Sequence, residues 1–442
     1  MRLRPAPALL FAAAAAAYAW GLSWGVPRAA RFDKVLLPEQ RNDEFFASVE
    51  ANRRSLYARI GENIQAAFGR GEWSGELDHG DVVGGVAVHH PGKPDPVLLH
   101  AFSAFALRAV EQDEQFALNA LARFKPRKLD FNPRSSLYGG SYLYPLAGWL
   151  AALHAARIVK LSSDALTYYR DPDRIGRLYE AGRVLSILSA LGSAWLLLLI
   201  GRETVGEEEA LWGAALFALS PGVVAYAHLL KPHLSACFYA LGCALFGLRW
   251  ARAGARADAL RAGLLLGLAT GAAKNLAVLG PALAAAALVP GPLPWRRRLG
   301  DLASAAVLSV VVFFVTNPYT LAGWGDFLDE ARGQTAWYKS SLSVPGLYGF
   351  LSSAWRAGAG APAWALGLAG FALALSRRRG EDFRLAVFLA ALLLGTSFVA
   401  GRRGDEAHSA RFFFAGLGLA ALLGARAALA VPGAGRWAGR AV

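Results

Sequence analysis

The apolar residues of the chain are gathered into long blocks separated by Arg-rich connections, and this arrangement constrains the fold more than any other feature. A soluble domain of 442 residues would distribute its 55% hydrophobic residues between buried positions and polar faces. Blocks of about 20 apolar residues instead have the length needed to cross ~30 Å of hydrocarbon. The sequence therefore predicts an all-α polytopic membrane protein.

About ten spans are predicted. Residues 1–27 have a basic flank and a long apolar run, which fits either a secretory signal or a first transmembrane helix. The helix is favoured, because no clear cleavage site precedes aromatic residues that would anchor it at an interface. The other apolar runs lie at 180–200, 208–226, 234–251, 262–277, 278–293, 301–316, 360–376, 384–400 and 411–431.

The Arg-rich connections set the orientation, because Lys and Arg collect on the cytoplasmic side of membrane proteins. With the N-terminus inside, the segments 249–261, 295–301, 376–384 and 435–442 all fall on the cytoplasmic side. Segment 262–293 fits either one long helix or a hairpin broken at Pro281. A single helix would reverse the orientation of every later span and put the Arg clusters outside, so the hairpin is preferred.

This topology divides one membrane domain, 1–442, into a long outer loop at 28–179 and a transmembrane bundle at 180–431. Within the loop, a helix begins at Asn42 and is amphipathic, since its apolar residues recur at three-to-four spacing. The Gly- and His-rich stretch 69–94 predicts turns and a small hairpin. The apolar stretch 142–161 is interpreted as a juxtamembrane helix packed against the spans.

The acidic pair Asp113-Glu114 is the strongest candidate for chemistry, because ionisable residues in membrane proteins are costly and tend to be functional. The pair starts a predicted helix marked by Phe116, Leu121 and Phe124. A carboxylate at a helix N-terminus also interacts favourably with the helix dipole. From the residues alone, Asp113 is equally well a helix cap or a catalytic acid.

Several motifs follow the acidic pair in order. They are "LDFNPRSSLYGGSYLYP" (129–145), "GRVLS" (182–186), "SP" (220–221), "GLATGAAKNLAVLGPAL" around Lys274, "TNPYTLAGWGDFLDEARGQ" from Thr316 and "HSARFFFAGLGLAAL" around Arg411. Over roughly 110–425 the chain resembles the membrane glycosyltransferases of the C-type fold (GT-C). It is similar to prokaryotic members of the protein O-mannosyltransferase-like family, glycosyltransferase family thirty-nine.

The resemblance implies an enzyme that moves a hexosyl or pentosyl group from a polyprenyl-phosphate donor to an acceptor on the outer face of the membrane. The acceptor would be a protein, glycan or lipid that carries a hydroxyl or an amine. In this inverting displacement, Asp113 is the general base and Glu114 is its acidic partner. The leaving phosphate requires positive charge. The donor-phosphate candidates are Lys231, His233, Lys274 and Arg411, and the acceptor-side candidates are Asn132, Tyr138 and Tyr142.

Some of these roles have alternatives. Lys231 and Arg411 also fit interfacial positions with charged tips in the headgroup layer, and Lys274 also fits a buried ion pair. No cofactor is certain: Glu114 is interpreted either as a ligand of a divalent metal or as a residue that orients the acceptor. The loop 317–341 is expected to pack over the cavity, with aromatic side chains at the membrane interface or against a sugar.

In the family that the chain resembles, the acidic pair usually comes soon after the first span, whereas here roughly eighty residues intervene. These residues contain other acids, so Asp33 and Asp43 are alternatives to Asp113. The inserted residues Asp78, His79, Asp81, His89 and His90 are more typical of solvated turns than of a metal site.

Two other classes of function compete with a transferase. A non-catalytic lipid-carrier transporter or flippase would require more intramembrane charge than Lys274 provides, and a scaffold subunit would not require an intact acidic pair. The net charge of +14 does not indicate nucleic-acid binding, because the Arg clusters lie at span ends. The predicted location is the inner (plasma) membrane, with the active site facing the periplasm or exterior.

Overall fold

The computed structural model describes residues 5–60, 88–90, 93–95, 102–103, 105–111, 113–338, 344–378, 380–400 and 410–431. Their regular structure is almost entirely helical, apart from one small antiparallel hairpin. In the Gly- and His-rich stretch, for which a small hairpin was predicted, the strands Val88–His90 and Lys93–Asp95 pair antiparallel, with His89 opposite Pro94.

The first part of the chain contains one helix before the long loop, and helices of 5 to 18 residues and a small hairpin within it. These elements are α1 (Pro5–Trp20), α2 (Ala29–Val35), α3 (Asp43–Ile60), β1 (Val88–His90), β2 (Lys93–Asp95), α4 (Glu114–Ala122), α5 (Gly140–Ala155) and α6 (Leu166–Arg170). Asn42, where this helix was predicted to begin, caps α3, because its side-chain oxygen accepts a hydrogen bond from the backbone N–H of Phe45 at 2.8 Å. The buried start of α3 packs on α6, where Phe46 stacks on Tyr169.

The second part forms the apolar bundle. Its helices are α7 (Pro172–Thr204), α8 (Glu207–Ala218), α9 (Pro221–Ala227), α10 (His233–Ala253), α11 (Arg256–Ala272), α12 (Leu279–Leu288), α13 (Trp295–Thr316), α14 (Pro318–Ala322), α15 (Trp324–Tyr338), α16 (Val344–Gly349), α17 (Trp355–Ala359), α18 (Ala361–Arg377), α19 (Gly380–Ala400) and α20 (Phe414–Leu429). Helix α7 begins at Pro172, so the loop boundary predicted at residue 179 lies inside a continuous helix.

Within the described ranges, four helices are long and apolar enough to cross a membrane, namely α7, α10, α13 and α20 with the 3-10 turn that precedes it. Helices α8 and α9 together form a fifth candidate, bent by 57°. Helix α1 and the segment Lys274–Leu288 are shorter apolar helices. The predicted all-α polytopic membrane fold is thus confirmed, whereas the number of ten spans stays a prediction.

The Arg-rich segments 249–261, 295–301 and 376–384 meet at one end of the bundle, whereas 435–442 lies outside the described residues. The contacts that bring them together are Arg249 with Glu203, Trp250 with Asp301 at 3.0 Å, and Arg384 with the carbonyl of Pro290 at 2.8 Å. Arg183 lies about 20 residues before Glu203 in the same helix, which is roughly 30 Å along the axis. That length matches the hydrocarbon core, so the Arg-rich end and the end that carries Arg183 lie a membrane thickness apart.

The predicted position of the helix break within segment 262–293 needs correction. Segment 262–293 does form two helices, but the break lies at Ala273, whose backbone is extended, and at the 3-10 turn Lys274–Val278. Pro281 instead lies in the first turn of α12, where its missing N–H is unneeded. The segment 317–341, predicted as an outer loop, contains helices α14 and α15 within its described residues 317–338.

Helices α5 and α18 pack differently around their glycines. In α18, Gly370 faces α20, and a methyl group there would lie 2.0 Å from the carbonyl oxygen of Leu423. In α5, a methyl group on Gly148 would meet no atom within 4 Å. Helix α5 itself packs against α7 and α11, as predicted for a juxtamembrane helix.

These two glycines allow a test of the packing between α18 and α20. Gly370→Ala is expected to lower the free energy of unfolding by about 1–3 kcal/mol, because the added methyl forces the helix backbones apart. Gly148→Ala is the matched control and is expected to leave stability unchanged or raise it, since alanine favours helix more than glycine does. Thermal unfolding in detergent measures both, and equal midpoints for the two variants would contradict the close packing.

Candidate active site

The acidic pair lies at the start of α4, at the end of the bundle opposite the Arg-rich connections, and its two side chains have different environments. Asp113 occupies the N-cap position of α4, yet its side chain makes no capping hydrogen bond. Its carboxylate is about one-third exposed, whereas Glu114 is fully buried. The helix-cap interpretation of Asp113 is therefore wrong.

Glu114 forms a buried ion pair with Arg183 of α7. The guanidinium donates to both carboxylate oxygens through Nε and Nη2, at distances from 2.8 to 3.3 Å. The backbone N–H of Leu230 also donates to Glu114, at 3.3 Å. Burial raises the pKa of Glu114, and the charge of Arg183 opposes that shift.

The same guanidinium holds the segment that follows α1. Its Nη1 donates to the carbonyl oxygens of Leu22 and Trp24, at 2.8 and 2.7 Å. One buried arginine thus connects α4, α7 and the chain after α1.

Asp113 faces two cations from distant parts of the chain. Lys231, between α9 and α10, donates to Asp113 Oδ2 at 3.0 Å, and Arg411, just before α20, approaches the same oxygen at 3.3 Å. Both cations are almost completely buried, with side-chain exposures of 1% and 7%. Two of the predicted phosphate-binding residues therefore converge on the predicted catalytic acid.

Glu111 is a further member of this cluster that the sequence did not single out. Lys231 Nζ donates to Glu111 Oε1 at 2.7 Å, so one ammonium joins two carboxylates. Two tyrosines also contact this cluster. The hydroxyl of Tyr138 donates to the backbone oxygen of Asp113 at 3.2 Å, and Lys231 lies 5.6 Å from the ring centre of Tyr226.

His233, at the start of α10, lies beside this cluster. Its ring packs edge-on against Tyr226 and Phe412, at 5.5 and 6.1 Å between ring centres. Together with Arg411 and Asn275 it lines a small pocket.

Lys274 belongs to a separate cluster. Its ammonium donates to the hydroxyl of Ser136 at 2.8 Å and lies 4.9 Å from the ring centre of Phe327. Glu330 of α15 is fully buried and accepts hydrogen bonds from Ser135 and from the backbone and hydroxyl of Ser136. This network attaches α15 to the segment that leads to Tyr138, and neither Ser136 nor Glu330 carried a recognisable sequence signal.

The two other acceptor-side candidates lie in a local turn, for Asn132, and at a cavity, for Tyr142. The side chain of Asn132 accepts a hydrogen bond from the backbone of Arg134 at 2.9 Å, which forms a local turn. Tyr142 is buried, and its hydroxyl has no hydrogen-bond partner among the described residues. It lines a cavity of ≈ 240 Å³ between α5, α7 and α10, with Ser189, Ser235 and Tyr239.

The alternative acids are engaged elsewhere. Asp43 pairs with Arg170 at 2.8 and 2.9 Å, and Asp33 pairs with Arg41. Of the inserted metal candidates, Asp78, His79 and Asp81 lie outside the described residues, as do the side chains of His89 and His90. So do the side chains of Trp337 and Tyr338, whereas Trp324 stacks on Phe327.

A metal does not fit at Glu114, because the guanidinium of Arg183 already donates hydrogen bonds to both carboxylate oxygens. In the part of the chain that the structure describes, no three His, Cys, Asp or Glu side chains are grouped so that they could hold a metal ion.

The chain was compared with curated proteins, with solved structures and with protein-family models. None of the curated proteins matches the chain. Among solved structures, the archaeal oligosaccharyltransferase AglB from Archaeoglobus fulgidus, in complex with an inhibitory peptide and a dolichol-phosphate, is similar at 13% identity, with a TM-score of 0.40 over 69% of this chain and 44% of that one. The apo form of the Archaeoglobus fulgidus oligosaccharyltransferase gives 14% identity and a TM-score of 0.40, over 66% of this chain and 42% of that one. The chain therefore spans less than half the length of these structures.

The family comparison is more specific. Residues 175–319 match the family model described as dolichyl-phosphate-mannose-protein mannosyltransferase. The matched range includes Arg183, Lys231, His233 and Lys274, whereas Asp113 and Arg411 lie outside it. The resemblance to GT-C membrane glycosyltransferases is thus confirmed by the family model over residues 175–319.

Proposed function

We propose that the protein is an inverting glycosyltransferase that moves a sugar from a polyprenyl-phosphate donor to an acceptor on the outer face of the membrane. The convergence of Lys231 and Arg411 on Asp113 carries the proposal, because it joins a base to two buried cations at the end opposite the Arg-rich connections. By the positive-inside rule, the Arg-rich end is cytoplasmic and the site faces outward. The family match over 175–319 supports the same class of reaction.

In the proposed reaction, the oxygen or nitrogen of the acceptor attacks the anomeric carbon of the sugar, and Asp113 takes the proton from that acceptor hydroxyl or amine. The bond between the anomeric carbon and the phosphate oxygen breaks, and its electron pair leaves with the polyprenyl phosphate. Attack opposite the leaving group inverts the anomeric centre. Lys231 and Arg411 stabilise the negative charge that develops on the phosphate.

Glu114 is assigned an orienting role. Its carboxylate is fully buried and bound to Arg183, so no oxygen is left for the acceptor. By fixing the first turn of α4, the pair directs the neighbouring Asp113 towards Lys231 and Arg411.

Lys274 is assigned a supporting role. Its ammonium is held by Ser136 and by the ring of Phe327, away from the contacts of Asp113. We propose that this cluster positions the segment with Tyr138 rather than binding the donor phosphate directly.

Asp113→Asn tests the catalytic base. The amide keeps the size of the side chain but cannot take a proton, so sugar transfer is expected to fall about 10²- to 10⁴-fold. The assay follows sugar transfer in membranes supplied with polyprenyl-phosphate mannose, the sugar named by the family match. Asp43→Asn is the control, since it removes another ion-paired aspartate and should retain transfer. Full activity of Asp113→Asn would refute the assignment.

Arg411→Gln tests donor binding. Loss of a charge-assisted contact to phosphate is expected to raise the KM for the donor about 10- to 100-fold. Arg426→Gln, near the other end of α20, removes an arginine paired with Glu209 and is expected to leave that KM unchanged. Equal KM values for the two variants would argue against a phosphate role of Arg411.

Glu114→Gln tests the orienting role. It leaves the buried guanidinium of Arg183 without a counter-charge and is expected to cost about 3 kcal/mol or more of stability. The double variant Glu114→Leu with Arg183→Met removes both charges and is expected to recover part of this loss. Thermal unfolding in detergent measures both. A fully stable Glu114→Gln protein without transfer activity would instead indicate a direct chemical role.

A further inference from the structure

Glu111 lies two residues before Asp113, and its side chain binds the same ammonium. Lys231 Nζ is 2.7 Å from Glu111 Oε1 and 3.0 Å from Asp113 Oδ2. The lysine is 1% exposed, whereas the two carboxylates are 30% and 31% exposed. One buried cation is thus shared by two carboxylates of equal exposure at the surface of the site.

The distances place the two carboxylate oxygens within about 6 Å of each other, a range over which the charge of Glu111 acts on Asp113. Several titratable or charged groups face this pair from the elements packed around it. They are Tyr138 of the loop between α4 and α5, Tyr226 of α9, Lys231 between α9 and α10, His233 of α10, Arg411 before α20 and the buried Glu114–Arg183 pair. Glu111 and Asp113 together balance the charges of Lys231 and Arg411.

We propose that Glu111 is a positioning residue, which holds Lys231 between two carboxylates and keeps Asp113 a strong enough base. The inference rests on the proposed function, in which Asp113 takes the acceptor proton. The acidic pair that faces the substrates is then Glu111 with Asp113, rather than Asp113 with Glu114.

The physical reason is the charge balance at Asp113. Without Glu111, Lys231 would interact with Asp113 alone, and the cluster would carry one excess positive charge. Both effects stabilise the ionised carboxylate, so Asp113 would bind a proton only at lower pH. Because the rate of proton transfer falls as the base becomes weaker, the acceptor would be deprotonated less efficiently.

The titration of Asp113 tests this without relying on activity. Infrared difference spectra of the full-length protein, recorded against pH, follow the carboxyl band that Asp113→Asn removes. Glu111→Gln is expected to move the midpoint of this band down by about one pH unit, as expected for the loss of a partly screened like charge. Glu111→Asp keeps the charge and is expected to move it less. Glu209→Gln, at the Arg-rich end, is the control and is expected to leave it unchanged.

A second measurement follows kcat/KM against pH with polyprenyl-phosphate mannose. The acid limb of Glu111→Gln is expected to move down with the infrared midpoint. An unmoved midpoint in Glu111→Gln would overturn the inference, whether or not sugar is transferred. Loss of transfer to the Asp113→Asn level with an unmoved midpoint would make Glu111 itself the proton acceptor. A moved midpoint in a protein whose wild type transfers no sugar would support the electrostatic coupling and reject the proposed function.

Discussion

The buried ion pair between Glu114 and Arg183 determines where the rest of the candidate site lies. Removing both charges from water is costly, and the cost is offset only when the pair is closely matched and its remaining polar atoms are bonded. Here the carboxylate is contacted by two guanidinium nitrogens and by the backbone of Leu230, and the third nitrogen reaches two carbonyls after α1. A slip of α4 by one residue would leave these charges unpaired, so the register of the acidic motif is fixed by electrostatics.

That register explains the different environments of two adjacent acids. Successive residues at a helix start point about 100° apart, so burying Glu114 turns Asp113 to a different side of α4. On that side, Lys231 and Arg411 arrive from the ends of other helices. The base is therefore positioned by a pair of residues that makes no contact with the substrates in the proposed reaction.

The sequence predicted the fold class and the main residues of the cluster, because both have signals that do not depend on tertiary structure. Apolar blocks show the membrane spans, and charged residues such as Lys231 and Arg411 stand out in apolar surroundings. Glu111 had no such signal: in "EQDE" nothing shows which carboxylate meets the lysine more than a hundred residues later. Glu330 and Ser136 were missed for the same reason, because their meaning depends on a contact between distant segments. The break before α12 was misplaced because a proline was read as a helix breaker, although it is tolerated in a first turn.

Under the proposed function, the contacts that Asp113 makes before substrates bind imply that the donor binds before the acceptor is deprotonated. A carboxylate that faces two cations is a weak base, and the 3.3 Å distance to Arg411 is longer than a strong charge-assisted hydrogen bond. An incoming donor phosphate offers these cations further anionic oxygens and adds negative charge beside Asp113. Both changes raise the affinity of Asp113 for a proton. The base is then strongest when the donor is bound, so deprotonation of the acceptor is coupled to the presence of a sugar that can receive it.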